Sequence, residues 1–211
     1  NLGLIRQGRV AHARNNAENV LHLIERLGFI PNISVRIALN RSQTPVAAVL
    51  FDELHRLAPD RAWLERCYAA ITREYAFWMA LRQSPNGLAA NNNHADPATL
   101  ADFYHVIKKR LRDIPDEPVA RLCYLKHKMA ECEVWDFTPR FDQKCANFNA
   151  IDTNAVLGAF VAMPSFRAAS TAMACIRRVP AITMSDPVLS DVSFGDIDSP
   201  CRLAVAKAVP A

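Results

Sequence analysis

The sequence predicts an all-α fold of stacked helical pairs, and three observations lead to this prediction. Four of the six helical segments expected before residue 160 place apolar residues three or four positions apart, which is the period of an amphipathic helix. Aspartate, proline or glycine stands at several of the points where these segments begin and end. No segment in this part alternates apolar and polar residues as a half-buried strand would.

The first three helices are predicted from their apolar spacing and their ends. A helix runs from Val10 to Leu27, and Gly28 directly after it suits a left-handed cap. Pro45 fits the first turn of the second helix, and Asp60 is the expected N-cap of the third. The predicted apolar stripes are Val10, Ala13, Ala17, Val20, Ile24 and Leu27, then Val46, Val49, Leu50, Leu54 and Leu57, then Leu64, Cys67, Tyr68, Ile71, Tyr75 and Trp78.

The second half of the helical region follows a loop predicted over residues 84–94, which is rich in Asn, Gly and Pro. Asp96 and Pro97 should start the fourth helix, residues 118–133 form the fifth, and residues 152–160 form the sixth with Asp152 as its N-cap. From residue 162 onward prolines interrupt the chain and no apolar stripe recurs. We therefore expect a helical domain over residues 1–161 and a tail of unclear structure over 162–211.

Composition excludes several classes of protein. The 211 residues are 51% hydrophobic and 22% charged, as in an ordinary globular domain. The net charge of +4 comes without a polybasic run, so no nucleic-acid partner is expected. No stretch approaches the ~18 apolar residues of a membrane span. The six cysteines lack a CxxC pair and the histidines are dispersed, so neither a metal site nor a cofactor is predicted. We interpret the cysteines as reduced thiols, which favours a cytoplasmic location.

Two loops carry polar and aromatic groups that suit a sugar. Arg41 and Gln43, at a loop-to-helix junction, offer several fixed donors and one amide acceptor for vicinal hydroxyl groups. The alternative is a cluster that caps the following helix, with Arg41 in solvent. Asp136 stands between Trp135 and Phe137 just after a helix; aromatic neighbours can shield a carboxyl from water, as a general acid requires. The alternative here is a helix-terminating aspartate among core aromatics.

Ordered sequence segments carry a family resemblance. Residues 28–32 and 40–45 (Gly-Phe-Ile-Pro-Asn and Asn-Arg-Ser-Gln-Thr-Pro) are similar to a characteristic segment of the trehalases, glycoside hydrolase family 37. Residues 74–79 resemble their Glu-Tyr-x-Phe-Trp-Met helix, and residues 135–141 resemble their Trp-Asp-Phe-Ser-Ser-Arg-Trp segment. Residues 152–157 resemble Asp-Leu-Asn-Ala-Leu-Leu.

The resemblance implies part of an (α/α)6 barrel and the hydrolysis of trehalose to two glucose molecules with inversion. Under it, Asp136 occupies the general-acid position, while Asn32, Arg41 and Gln43 fall on substrate-binding positions. Trp135 would provide an apolar platform for a sugar ring. The implied partner is a small sugar, with no cofactor.

The chain also departs from the family pattern. Val134 stands where trehalases have glycine before the Trp-Asp pair, and residues 91–96 replace their Arg-Pro-Glu-Ser segment. A related α-glucoside is therefore an alternative substrate. A non-catalytic helical-repeat module that binds a protein partner is the alternative class, although no fixed repeat period is visible.

An inverting glycosidase also needs a second carboxylate as its base. Residues 162–211 contain no glutamate. They contain four aspartates, to none of which we assign the role, namely Asp186, Asp191, Asp196 and Asp198. We therefore expect an internal fragment of a longer glycosidase, inactive by itself.

Overall fold

The computed structural model describes residues 1–35 and 38–166, and this part of the chain is predominantly helical. Its helices are α1 (Leu2–Arg6), α2 (Val10–Leu27), α3 (Ala47–Leu57), α4 (Arg61–Leu81), α5 (Pro97–Ile107), α6 (Pro118–Val134) and α7 (Ile151–Ala162). Two 3₁₀ turns follow α6, at Pro139–Phe141 and Cys145–Asn147. Within the described ranges there is no β-strand, so the predicted all-α class is confirmed.

Several predicted helix ends are confirmed by their hydrogen bonds. Gly28 caps α2 with a left-handed φ of 85°. The side chain of Asp60 accepts a bond of 3.0 Å from the backbone N–H of Trp63, and Asp96 caps α5 by accepting one of 2.7 Å from Thr99. These bonds satisfy N–H groups that have no partner inside the helix, which is why short polar residues are favoured there.

Two details of the predicted helices are wrong. Helix α3 begins at Ala47 rather than in a turn with Pro45, and Val46 and Leu57 of its predicted stripe are 50% and 53% exposed. The buried face keeps Leu50 and Leu54 of that stripe and adds Phe51 and the alanines at the start of the helix. At α7 the N-cap is Ala150; Asp152 lies in the first turn, where its carboxylate accepts the N–H of Thr153 instead of capping the helix.

Within the predicted helical domain, the described chain divides into two compact units. The first contains residues 1–30, 44–89 and the described residues from 150 onward. Its core joins small side chains of α2 to large rings of α3 and α4, where Phe51 and Trp63 meet edge to face at 5.5 Å. Phe166 also lies in this core. Burial of each large apolar side chain contributes roughly 1.5–3 kcal/mol.

The second unit contains the described residues of 31–43 together with residues 90–149. Its core is formed by one face of α5 and one face of α6. This core includes Leu100 and Phe103 from α5 and Leu125 and Met129 from α6. This unit holds every residue that the sequence predicted for the site. None of the described helices combines the length and the apolar character needed to cross a bilayer.

Candidate active site

The loop that starts at Pro31 closes on itself and brings distant sequence positions together. Pro31 and Ser42 form an antiparallel bridge, and the backbone N–H of Asn32 donates to the carbonyl of Arg41 at 3.0 Å. The Gln43 side chain donates to the carbonyl of Asn32 at 3.2 Å. The three residues predicted to bind substrate in this loop are therefore neighbours in space.

Arg41 is buried, with only 6% of its surface exposed. Its guanidinium carbon lies 5.0 Å from the centre of the Phe103 ring, within the range of a cation–π contact. The alternative of a solvated arginine in a capping cluster is wrong, because α3 is capped at Val46 without any side-chain bond. A charge is costly to withdraw from water. Arg41 is therefore a buried charge in a loop of polar residues.

The same loop is linked to the segment that carries Asp136. The side-chain amide of Asn32 donates to the carbonyl of Cys132 at 3.4 Å. Cys132 lies in the last turn of α6, which ends at Val134 and has Trp135 as its C-cap. The predicted binding loop and the predicted acid segment thus meet within the second unit.

Asp136 and Phe137 have left-handed backbone conformations, with φ of 43° and 66°. Aspartate tolerates this region, whereas a bulky residue such as phenylalanine rarely adopts it. A turn bond from the Thr138 N–H to the Trp135 carbonyl, 3.0 Å long, closes around them. Such conformations cost on the order of 1–3 kcal/mol each and occur often at functional sites. The backbone is therefore strained at the residue proposed to act as acid.

The carboxylate of Asp136 is not shielded as the sequence led us to expect. Its side chain is 72% exposed and forms an ion pair of 2.8 Å with Arg110. Trp135 packs edge to face on Phe141 at 4.7 Å, and the Arg140 guanidinium lies 5.2 Å from its ring centre. The expectation that the flanking rings enclose Asp136 is wrong for this conformation, since the carboxylate meets Arg110 and solvent.

Sequence reasoning missed two features of the second unit. One is the ion pair between Arg110 and Asp136, because nothing in the spacing connects two residues that lie 26 positions apart. It also missed a buried ion pair in α6, where Lys128 donates to Glu131 at 2.7 Å. Beside that pair, burial and nearby lysines lower the pKa of His127 to about 4, so its ring is neutral at pH 7 and its Nδ1 accepts the N–H of Ala146. From the sequence alone, charged residues in a helix are expected on its solvent-exposed face, so the burial of Lys128 and Glu131 could not be predicted.

Two of the resembling segments lie in the first unit, where they have structural contacts. Glu74 is 2% exposed and accepts a hydrogen bond from the backbone N–H of Ile30. Its Oε1 has no hydrogen-bond partner among the described residues, and burial raises its pKa to about 8. It lines a small cavity together with Tyr75 and Phe160. Asn154 forms a two-bond clamp with the backbone of Ala89, donating and accepting at 2.9 Å.

Known proteins match this chain over most of the described region. The family model for trehalase matches residues 1–165. A probable trehalase of Oryza sativa subsp. japonica is 22% identical over 165 residues, which cover 74% of this chain and 29% of that protein. A trehalase of Tenebrio molitor is 26% identical over 147 residues, covering 66% of this chain and 26% of its own length. A trehalase of Apis mellifera is 30% identical over 80 residues, covering 38% and 13%.

The chain spans less than a third of the length of these curated relatives. Their identity is low, but the family model covers well over half of the chain, from its first residue to the last turns of the described structure. The matched region also contains every segment on which the resemblance was based. The chain belongs to the trehalase family.

Proposed function

We propose that this chain carries the general-acid half of an active site that hydrolyses trehalose. Asp136 would donate a proton to the glycosidic oxygen, and Asn32, Arg41, Gln43 and Trp135 would bind the sugar. The observation that carries the proposal is the link between the closed loop and the acid segment, made by the bond from Asn32 to the Cys132 carbonyl. Family membership supports the substrate class, because the relatives are named as trehalases.

The proposed residues have complementary chemistry. Arg41 and the two amides supply donors at fixed angles, which suits the hydroxyl groups of a sugar. The half-buried Trp135 offers an apolar face. Inversion requires a second carboxylate ~6.5–9.5 Å from the acid to activate water on the opposite face of the sugar. We assign no base among the described residues, and the four aspartates of the tail lie outside them. The helical-repeat alternative gains no support from any observation of the site.

Sugar binding by the purified chain tests this proposal. Trehalose should shift the NMR signals of the loop and of Trp135, whereas the β-linked disaccharide cellobiose should not. A related α-glucoside that shifts the same signals more strongly would replace trehalose as the substrate. If no α-glucoside perturbs these residues, the proposed site is wrong.

Arg41→Lys should weaken trehalose binding at least about tenfold, because lysine cannot reproduce the planar donor fork of a buried guanidinium. Titration by NMR gives the dissociation constants of both proteins and shows whether the variant is folded. Arg112→Lys is the matched control, since Arg112 is exposed in the same unit. Equal affinity for trehalose in the Arg41 variant and the parent chain would assign Arg41 a purely structural role.

The 211-residue chain should release no glucose from trehalose above the uncatalysed rate, because the proposed acid has no assigned base. NMR resolves the two anomers of any glucose formed. Inversion at one ring would produce β-glucose beside α-glucose. Catalytic release of glucose would contradict this prediction, and equal amounts of the two anomers before mutarotation would indicate inversion; Asp186, Asp191, Asp196 and Asp198 would then be substituted one by one.

A further inference from the structure

One exposed arginine contacts two consecutive residues of the strained turn. Arg110 follows α5, and its backbone N–H donates to the carbonyl of Ile107 at 2.7 Å, which keeps the chain turned at the end of the helix. Its Nη2 lies 2.8 Å from Oδ1 of Asp136. Its guanidinium carbon lies 4.8 Å from the centre of the Phe137 ring. A single planar group thus pairs with one side chain and covers the next.

These contacts fall where the backbone needs support. Asp136 and Phe137 are consecutive non-glycine residues with φ of 43° and 66°. Strained conformations of this kind persist only where surrounding contacts hold them in place. Phe137 packs against the core of the second unit and the Thr138 N–H closes the turn, but only Arg110 among the contacts described joins both strained residues.

We propose that Arg110 is a positioning residue for Asp136, holding the left-handed turn and so determining where the carboxylate lies. The direct effect of Arg110 is on the backbone conformation of the turn. Its consequence for the sugar rests on the function proposed above, in which Asp136 is the acid. A lysine would keep the charge but lose the flat surface over Phe137, so the two contacts of Arg110 can be separated experimentally.

The two contacts also differ in how they behave during a reaction. The ion pair is exposed on both sides, 57% for Arg110 and 72% for Asp136, so water and salt screen it and it opens readily. A carboxyl group that donates a proton is uncharged; its carbonyl oxygen can still accept a hydrogen bond from Arg110, but the attraction between opposite charges is lost. The contact with the Phe137 ring can persist through that change and keep the turn in place. Arg110 therefore supports the turn without holding the carboxylate permanently.

The conformational test uses NMR on the full 211-residue chain. A positive φ brings the amide and α hydrogens of one residue close together, which gives a strong intraresidue NOE. In Arg110→Met this NOE should weaken at Asp136 and Phe137, while Arg110→Lys should give an intermediate result. Lys109→Met, one position away on the exposed surface, is the matched control and should leave both NOEs unchanged. Retention of the left-handed turn in Arg110→Met would overturn the proposal.

The functional test compares trehalose affinity in the same proteins. Arg110→Met should raise the dissociation constant about three- to tenfold, the combined effect of an exposed ion pair and an exposed cation–π contact. Phe137→Leu should have a similar effect, and the double variant should be no worse than the more damaging single one. Lys109→Met should bind as the parent chain does. Loss of the NOE without any loss of affinity would overturn the positioning role.

A failure of the proposed function can be distinguished from a failure of the role assigned to Arg110. If the unmodified chain binds no trehalose, the sugar-binding assignment fails. The NOE comparison between Arg110→Met and Lys109→Met still decides whether Arg110 holds the turn.

Discussion

Asp136→Asn should lower the rate of trehalose hydrolysis by about 10²–10⁴-fold, the usual contribution of general-acid catalysis. The change removes the proton that the carboxyl would donate to the leaving oxygen. Asparagine also tolerates the left-handed backbone found at this position, so the turn should survive. The measurement requires a protein of trehalase length that contains these residues, because the rate must include the action of the base.

Asp142→Asn is a matched control for this prediction. Asp142 also has a left-handed conformation, with φ of 46°, and its side chain is exposed, so the same chemical change occurs on a similar backbone. The control should retain normal kcat. A substrate with a good leaving group should rescue much of the activity lost in Asp136→Asn, since such a group needs little protonation. Near-normal hydrolysis of trehalose by the Asp136 variant would remove Asp136 from the acid role.

Glu74→Gln should remove a pH dependence from the stability of the chain. The pKa of Glu74 is raised from 4.5 to about 8 because the carboxyl is buried. In the unfolded chain the group ionises near 4.5, so folding is favoured by the uncharged form. This contribution is fully present below pH 4.5 and is lost as the pH rises towards 8. Across that window the loss amounts to a few kcal/mol, on the order expected for a buried carboxyl.

The measurement is urea unfolding at a series of pH values between 5 and 9, followed by circular dichroism. Glutamine is neutral throughout, and its carbonyl oxygen can still accept the N–H of Ile30. The difference in free energy of unfolding between Glu74→Gln and the parent chain should therefore grow in favour of the variant up to about pH 8 and then level off. Glu65→Gln, at a position of the same helix where 44% of the side chain is exposed, is the control and should give a flat difference. A flat difference for Glu74 as well would show that its carboxyl is not held uncharged in the folded chain.

Prediction from sequence succeeded where local chemistry decides the structure. Helix α2 follows from its apolar period and from Gly28, because only a left-handed residue ends the helix in that way without strain. The caps at Asp60 and Asp96 follow from the same kind of short-range bond. Prediction failed at Val46 and Leu57, since period alone does not say which side of a short helix meets the rest of the protein.

In the candidate site, too, the residue types could be selected from the sequence, whereas their surroundings could not. Asn32, Arg41, Gln43, Trp135 and Asp136 were selected from residue type, order and resemblance. Their position in one compact unit was not predictable from spacing, because almost ninety residues separate Gln43 from the segment that carries Asp136. The two segments share a unit whose core is formed by the packing of α5 against α6. The burial of Arg41 was likewise invisible, since a loop arginine is ordinarily solvated.

The sequence alone determined the helical class, most helix ends, and the family to which the chain belongs. These depend on periodicity, caps and ordered motifs, all of which are local in the chain. Tertiary structure alone decided that Arg41 is buried against Phe103 and that Asp136 is exposed and paired with Arg110. It also decided that the side chain of Glu74 is buried. Each of these depends on which distant residues surround a charge, and the cost of removing that charge from water is set by those neighbours and not by its place in the sequence.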